Sequence, residues 1–331
     1  MAEPPNRTAV DDSRGRNSSG HQFATNNTDW IWYTELTPED IVIYTLMLLT
    51  SLAGLAGNSL VLWFLGFQIK RNPFTVYILH LAGADFSFLL WQATLSAISV
   101  GPPISLEYED LHTVIGLVKY TSYTSGLGLL TAISAERCLS VLFPIWYRCS
   151  RPKHLSAVVC SLIWTLSILV NVLDRFFCNF SLYISFTDCF KTNVAIATLI
   201  FLICVLMGLS SLKLLVQVRS RSRCHPPAKL YWVILITVLV YFTCGLPMGI
   251  YWYLLFWFKD WKMSYFHAIT ELLSCVNSFT NPIIYVLVGT HWKRRFREPL
   301  RARFQRAFRL EPELEGEAEE TPTTYTMELL A

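Results

Sequence analysis

Six polar or ionisable side chains stand inside long apolar stretches of this chain: Asn58, Asp85, Arg137, Glu271, Asn277 and Asn281. Each is expensive in hydrocarbon and is a functional candidate for that reason. The chemistry open to them is hydrogen bonding, ion binding and switching. Asp85, Asn277 and Asn281 can share hydrogen bonds and water, or a Na+ ion, because a lone buried carboxylate would cost several kcal/mol. The plainer reading is that they only hold helices together. Arg137 follows Glu136 directly, and such a pair can open to release the guanidinium to a partner protein. A simple interfacial anchor is the alternative.

Two more charges, Lys119 and Asp174, form a second group with Glu271. Lys119 precedes Arg137 by eighteen residues, five helical turns or about 27 Å along one face, so the two look into opposite ends of the same bundle. Asp174 lies one turn before Cys178, and Glu271 lies ten residues before Asn281. Either Lys119 neutralises Asp174 or Glu271 as a structural pair, or two carboxylates against one ammonium form an anionic floor for a basic peptide or small amine. An acidic or zwitterionic ligand held by Lys119 also stays open. Tyr120, Tyr123, Phe176, Phe177, Tyr251, Trp252 and Trp257 are candidate walls, although such aromatics are often packing or interface belt. Bond-breaking chemistry finds no support: His21, His80, His112, His154, His225, His267 and His291 include no cluster within the apolar stretches that would hold a catalytic metal. The chain is expected to be no enzyme, and no nucleic-acid partner is indicated.

The elements that must position these residues are membrane spans. With 53% hydrophobic and 15% charged residues, the chain lacks the makings of a soluble surface. A span needs about 20 residues of helix at roughly 1.5 Å each. Seven stretches qualify, at approximately 41 to 67, 74 to 100, 112 to 143, 154 to 178, 192 to 218, 229 to 257 and 265 to 289. The fold class expected is all-α membrane, a seven-transmembrane bundle over 40–290. The connections are short and no inverted repeat of the transporter kind is present.

Orientation follows from basic residues in short loops. Lys70, Arg71, Arg148, Arg151, Lys153, Arg219, Arg221, Arg223, Lys229 and the run Lys293 to Arg297 gather on one side, which is the cytoplasm. Residues 1–39 then form an extracellular tail, consistent with N-glycosylation triplets at Asn6, Asn17 and Asn26. Of nine cysteines only Cys178 and Cys189 fall on the outer side, where disulfides form and persist. Residues 291–309 place Phe296, Leu300, Phe304 and Phe308 at spacing four among basic residues, the pattern of an amphipathic eighth helix lying on lipid of the inner leaflet. Residues 310–331 are an acidic, Thr-rich cytoplasmic tail with candidate phosphorylation sites.

The local contexts carry a resemblance. Gly57-Asn58, Leu81-Ala-Gly-Ala-Asp85, Glu136-Arg137-Cys138, Trp164, Pro247 and Asn281-Pro282-Ile-Ile-Tyr285 follow one another, one per span, as in the rhodopsin-like G-protein-coupled receptors. Lys70-Arg-Asn-Pro-Phe-Thr-Val-Tyr77, the run Glu136 to Arg148 and Arg151-Pro-Lys-His-Leu-Ser-Ala-Val158 resemble the Mas-related subfamily specifically. The chain departs from the wider family at Gly245, where a tryptophan is usual, at Gly126, where a serine commonly faces the ion, and at Cys138. The resemblance implies a Cys178 to Cys189 bridge flattening the second outer loop, with two free thiols as the alternative. It also implies that Asp174 matches an acidic position that holds cationic ligands in several relatives, whereas Asn193 stands where some carry a second acid.

These features together suggest a plasma-membrane receptor, multi-pass with its N-terminus outside, that binds a peptide or small amine in a shallow pocket. Glu136, Arg137, Asp85, Asn281, Tyr285, Pro247 and Gly245 would carry activation toward a heterotrimeric G protein, mainly of the phospholipase C and calcium branch, with arrestin as a further partner. No cofactor is expected beyond a structural Na+ at Asp85, Asn277 and Asn281. A receptor signalling without ligand, or a scaffold for another receptor, is the competing function.

Overall fold

The computed structural model describes residues 37–69, 72–101, 109–180, 186–221, 236–257 and 264–290. The tail with its three glycosylation triplets, the eighth helix over 291–309 and the segment 310–331 lie outside the described residues. The described chain is helical: α1 Pro38–Trp63, α2 Pro73–Val100, α3 Glu109–Leu142, α4 Leu155–Arg175, α5 Phe186–Arg221, α6 over 236–257 and α7 Ser264–Thr290. α1 packs on α2 and α7, α3 on α2, α4 and α5, and α6 on α5 and α7.

Local sequence explains where the helices begin. Thr37 and Asn72 each cap a helix whose first residue is proline, and Asp40 and Thr75 return the bond to the cap backbone. Proline loses nothing at that position, since its missing N–H would have had no helical partner. The bundle therefore starts two residues before the expected boundary at residue 40. α5 begins at Phe186, six residues ahead of the apolar stretch, because a helix continues through Thr187, Asp188 and Lys191 where hydropathy stops. The expected disulfide is present: Cys178 and Cys189 are bonded, with Cα atoms 4.9 Å apart, and so tie the end of α4 to the first turn of α5.

Four of the helical stretches, Pro38–Gln68, Pro73–Val100, Leu155–Cys178 and Val194–Lys213, are long and apolar enough to cross a membrane by themselves. α3 and α7 fall outside that set because they carry the charges and amides of the candidate site. Burial is inverted relative to a water-soluble protein. Leu162 is 62% exposed and Phe201 66%, while Asp85, Lys119 and Glu271 are buried. Such a surface suits hydrocarbon and would be a large unpaired apolar patch in water.

Two prolines shape the interior. Pro282 in α7 has no N–H to give the carbonyl of Ser278, one turn earlier. Asn58 of α1 supplies the donor instead, its Nδ2 bonding the Ser278 carbonyl at 3.2 Å and its own Gly54 carbonyl at 3.0 Å. Close approach makes this reach possible: a Cβ on Gly57 would meet Pro282 at 3.2 Å, and one on Gly54 would meet Phe279 at 3.3 Å. In α6, Pro247 likewise removes a bond, and the helix widens into a π turn over Tyr241–Gly245, with Leu246 N–H bonded to the Tyr241 carbonyl. Asn58→Ala should lower stability by about 1–3 kcal/mol, because it leaves the buried Ser278 carbonyl without its side-chain donor. The thermal midpoint of the purified, detergent-solubilised protein measures this, and a midpoint equal to wild type would contradict the role.

Candidate functional site

The polar residues form three layers along the bundle. At the end that carries the disulfide, Lys119 of α3, Gln92 of α2 and Glu271 of α7 meet, each residue 1% to 5% exposed. Lys119 Nζ donates to Glu271 Oε1 at 2.6 Å and to Gln92 Oε1 at 3.1 Å, and Gln92 Nε2 donates to Glu271 Oε2 at 3.2 Å. The three groups close a ring in which the charges cancel and both carboxylate oxygens are bonded. That full satisfaction is what lets an ion pair persist away from water. His267, one turn from Glu271 on α7, brings Nε2 to 3.5 Å from the same Oε1, and its ring lies 4.8 Å from that of Tyr251 in α6. The ammonium of Lys119 also lies 4.9 Å from the Tyr120 ring centre.

Of the two partners open to Lys119 in the sequence, the structure selects Glu271. Asp174 stands apart at the end of α4, half-buried beside Arg175. The Arg175 guanidinium crosses to α3, where a Cβ on Gly116 would fall 2.6 Å from its Nη2. An anionic floor of two carboxylates therefore does not form: Glu271 is spent on Lys119, and Asp174 has a cationic neighbour. The Trp252 side chain, proposed as a wall, and that of Asn193 lie outside the described residues.

The middle layer centres on Asp85 of α2. Asn281 Nδ2 donates to Asp85 Oδ2 at 2.7 Å, so Asn281 orients the carboxylate. A small cavity, with room for about one water molecule, is lined by Asp85, Ser122, Tyr123, Gly126, Asn277 and Ser278. A Cβ on Gly126 would stand 3.9 Å from Asp85 Oδ1, so the glycine widens this cavity without backbone strain. Asn277 packs its amide against the bare Cα of Gly245, all three amide heavy atoms lying 3.5 Å from where a Cβ would be. The Tyr123 hydroxyl, offered in the sequence as a pocket wall, donates to the Gly245 carbonyl at 2.7 Å.

The opposite end corrects one expectation. Glu136 is salt-bridged to Arg151, not to its neighbour Arg137. Adjacent residues on a helix point about 100° apart and do not face each other. Arg151, expected among the loop charges of the cytoplasmic side, is instead buried with its Nη2 shared between Glu136 and Ser156 Oγ, the latter at 2.7 Å. The Arg137 guanidinium stacks on the Phe74 ring of α2 at 3.4 Å. Phe143 and Ile145, flanking Pro144, are exposed on the connection to α4. Pro247 is half-buried in α6, while the Tyr285 side chain lies outside the described residues.

Gln92, His267, Arg175 and the role of Arg151 were not singled out in the sequence. His267 had a signal, its four-residue spacing from Glu271 on one helical face. Gln92 had another, as an amide inside an apolar span.

The sequence pattern of the 7 transmembrane receptor (rhodopsin family) matches residues 57–285. Mas-related G-protein coupled receptor member D of Macaca fascicularis is 45% identical over 87% of this chain and 91% of its own length. The Mus musculus member D is 42% identical over 90% and 92% of the two chains, and member X2 of Homo sapiens is 45% identical over 81% and 83%.

The closed ring yields a prediction. Lys119→Ala should cost about 3–5 kcal/mol by leaving the buried Glu271 carboxylate without its counter-charge, whereas Lys119→Gln with Glu271→Gln should recover most of that loss. Thermal unfolding of Lys119→Ala, Lys119→Gln, Glu271→Gln and the double Gln variant reports it; a loss in the double variant equal to the sum of the two single Gln variants would show that the pair is not coupled.

Proposed function

This chain belongs to the rhodopsin-family seven-transmembrane receptors and, within them, to the Mas-related G-protein-coupled receptors, and from that premise we propose that it is a plasma-membrane receptor whose outer pocket takes a cationic peptide or small amine at Asp174. It is a multi-pass membrane protein and not an enzyme. The N-terminus faces outward, so that the disulfide end of the bundle is the ligand mouth and the Arg137 end meets a heterotrimeric G protein. The observation that carries the reading is the 2.6 Å Lys119–Glu271 bond. It cancels two buried charges on each other and leaves the Asp174 carboxylate of α4 outside that pair. An acidic or zwitterionic ligand would have to open that buried pair before Lys119 could receive it, which makes this the less favourable reading.

Binding shifts an equilibrium only through contacts that differ between its states. A ligand bridging Asp174 on α4 to the walls on α3 and α6 would change their spacing. At the other end, the Glu136–Arg151 bridge and the Arg137–Phe74 stack are the contacts to be exchanged for those with a G protein, through the phospholipase C and calcium branch. In the middle, the cavity beside Asp85 has the chemistry that a Na+ ion takes: a carboxylate, the hydroxyls of Ser122 and Ser278 and the Asn277 amide oxygen. Such an ion would offset the Asp85 charge, and Asn281 keeps the carboxylate turned toward it.

Calcium responses to basic peptides, amines and acidic amino acids should be compared in wild type, Asp174→Asn and Lys119→Gln at equal surface level. Cationic agonists should lose about tenfold or more in potency on Asp174→Asn, the equivalent of roughly 1.4 kcal/mol. A strong ligand-free signal untouched by Asp174→Ala and Glu271→Ala would point instead to a constitutively active receptor or scaffold. At the cavity, Gly126→Ser should strengthen the dependence of agonist potency on Na+ concentration by adding a hydroxyl next to Asp85, with salt titration at constant ionic strength as the check.

A further inference from the structure

The residue that stands where a tryptophan is usual in the wider family is Gly245, and the space beside it is not simply vacant. Tyr123 of α3 is 8% exposed, and its hydroxyl reaches the Gly245 carbonyl at 2.7 Å, the last residue of the π turn Tyr241–Gly245. Two glycines give it access. A Cβ on Gly249, one turn further along α6, would stand 3.7 Å from that hydroxyl and 3.2 Å from Ile200 of α5. On its other side Gly245 lies bare against the Asn277 amide of α7. At Gly245 itself α6 presents backbone to both α3 and α7, while the Met248 side chain meets Ser274 of α7 beside it. The same Tyr123 ring packs on Phe88 of α2 at 6.2 Å between centroids and lines the cavity of Asp85, Gly126 and Asn277.

We infer that Tyr123 is a positioning residue for receptor activation: its hydroxyl latches α6 to α3 through the Gly245 carbonyl. This inference rests on the reading of the chain as a G-protein-coupled receptor that signals by displacing α6. A hydrogen bond to a carbonyl in a helix weakened by proline is well placed for such a duty. The π turn frees α6 to pivot there, and the bond is strong while the site stays dry yet breaks within a small separation of the two helices. Because Tyr123 also walls the Asp85 cavity, a change at the ligand mouth that moves α3 would reach the α6 backbone and the polar centre through one ring.

The test is Tyr123→Phe, which keeps the ring and its packing and deletes only the hydroxyl. Spin labels near the Arg137 end of the bundle, one on α4 and one on α6, report α6 displacement in the purified receptor. Recruitment of G proteins of every class, measured without ligand and normalised to surface level, reports coupling. Losing one buried hydrogen bond should raise the displaced population and the ligand-free recruitment about two- to tenfold. Ser134→Ala is the comparison, since it removes a buried hydroxyl contact between α3 and α5 at 2.7 Å and leaves α6 alone; it should stay at the wild-type value. A shifted label distance with no G protein of any class recruited would support the latch and overturn the coupling proposed above. Unchanged distances in Tyr123→Phe, or an equal rise in Ser134→Ala, would overturn the latch.

Discussion

Hydrocarbon offers a stranded carbonyl no water, so every helix defect in this bundle has to be answered by a neighbouring group. Pro282 strands the Ser278 carbonyl, and an amide of α1 answers it. Pro247 disturbs α6, and the helix answers with a wider turn whose last carbonyl takes the Tyr123 hydroxyl. These replies cross between helices, so the defects become the places where helices are joined. The glycines follow from the same demand. Gly54 and Gly57 bring α1 close enough to α7 for the short side chain of Asn58 to reach across.

The same constraint sorts the charges. A lone ammonium or carboxylate could not remain ionised at the depth of Lys119 or Glu271, but the ring they make with Gln92 leaves neither carboxylate oxygen idle. The ring belongs to three helices at once and fixes α2, α3 and α7 to a common level. The pair at the opposite end works similarly, with Arg151 brought from the start of α4 to Glu136 of α3. Between the two lies a small cavity lined by a single carboxylate among neutral amides and hydroxyls.

Much of this was legible in the sequence, and what was missed has a common cause. Apolar length located the spans, although it began α5 at 192 rather than Phe186, because backbone hydrogen bonding runs past the point where hydropathy fades. Polar residues in apolar runs identified Asp85, Lys119, Glu271 and Asn281, all of which are buried. Their pairings were harder to read. Spacing along one helix tells which residues share a face, and it says nothing of how each helix is rotated against the next. Hence the expected Glu136–Arg137 contact gave way to one with Arg151, and the choice between Asp174 and Glu271 for Lys119 had to wait for three dimensions. Gln92 was overlooked although, like Asn58 and Asn281, it is an amide inside an apolar span; its place between Lys119 and Glu271 is what shows its part.

The amide that Asn58 lends to α7 ties the fates of two distant positions. Were Pro282 replaced by a residue with its own N–H, the Ser278 carbonyl would regain a helical donor and Asn58 would lose most of its reason to be polar. Drift at one position is thus permitted or forbidden by the state of the other, and the order in which such substitutions arise matters. Loss of the pair would be tolerated with the proline going first and the asparagine second, and gain in the reverse order, a direction set by the hydrogen-bonding needs of one carbonyl.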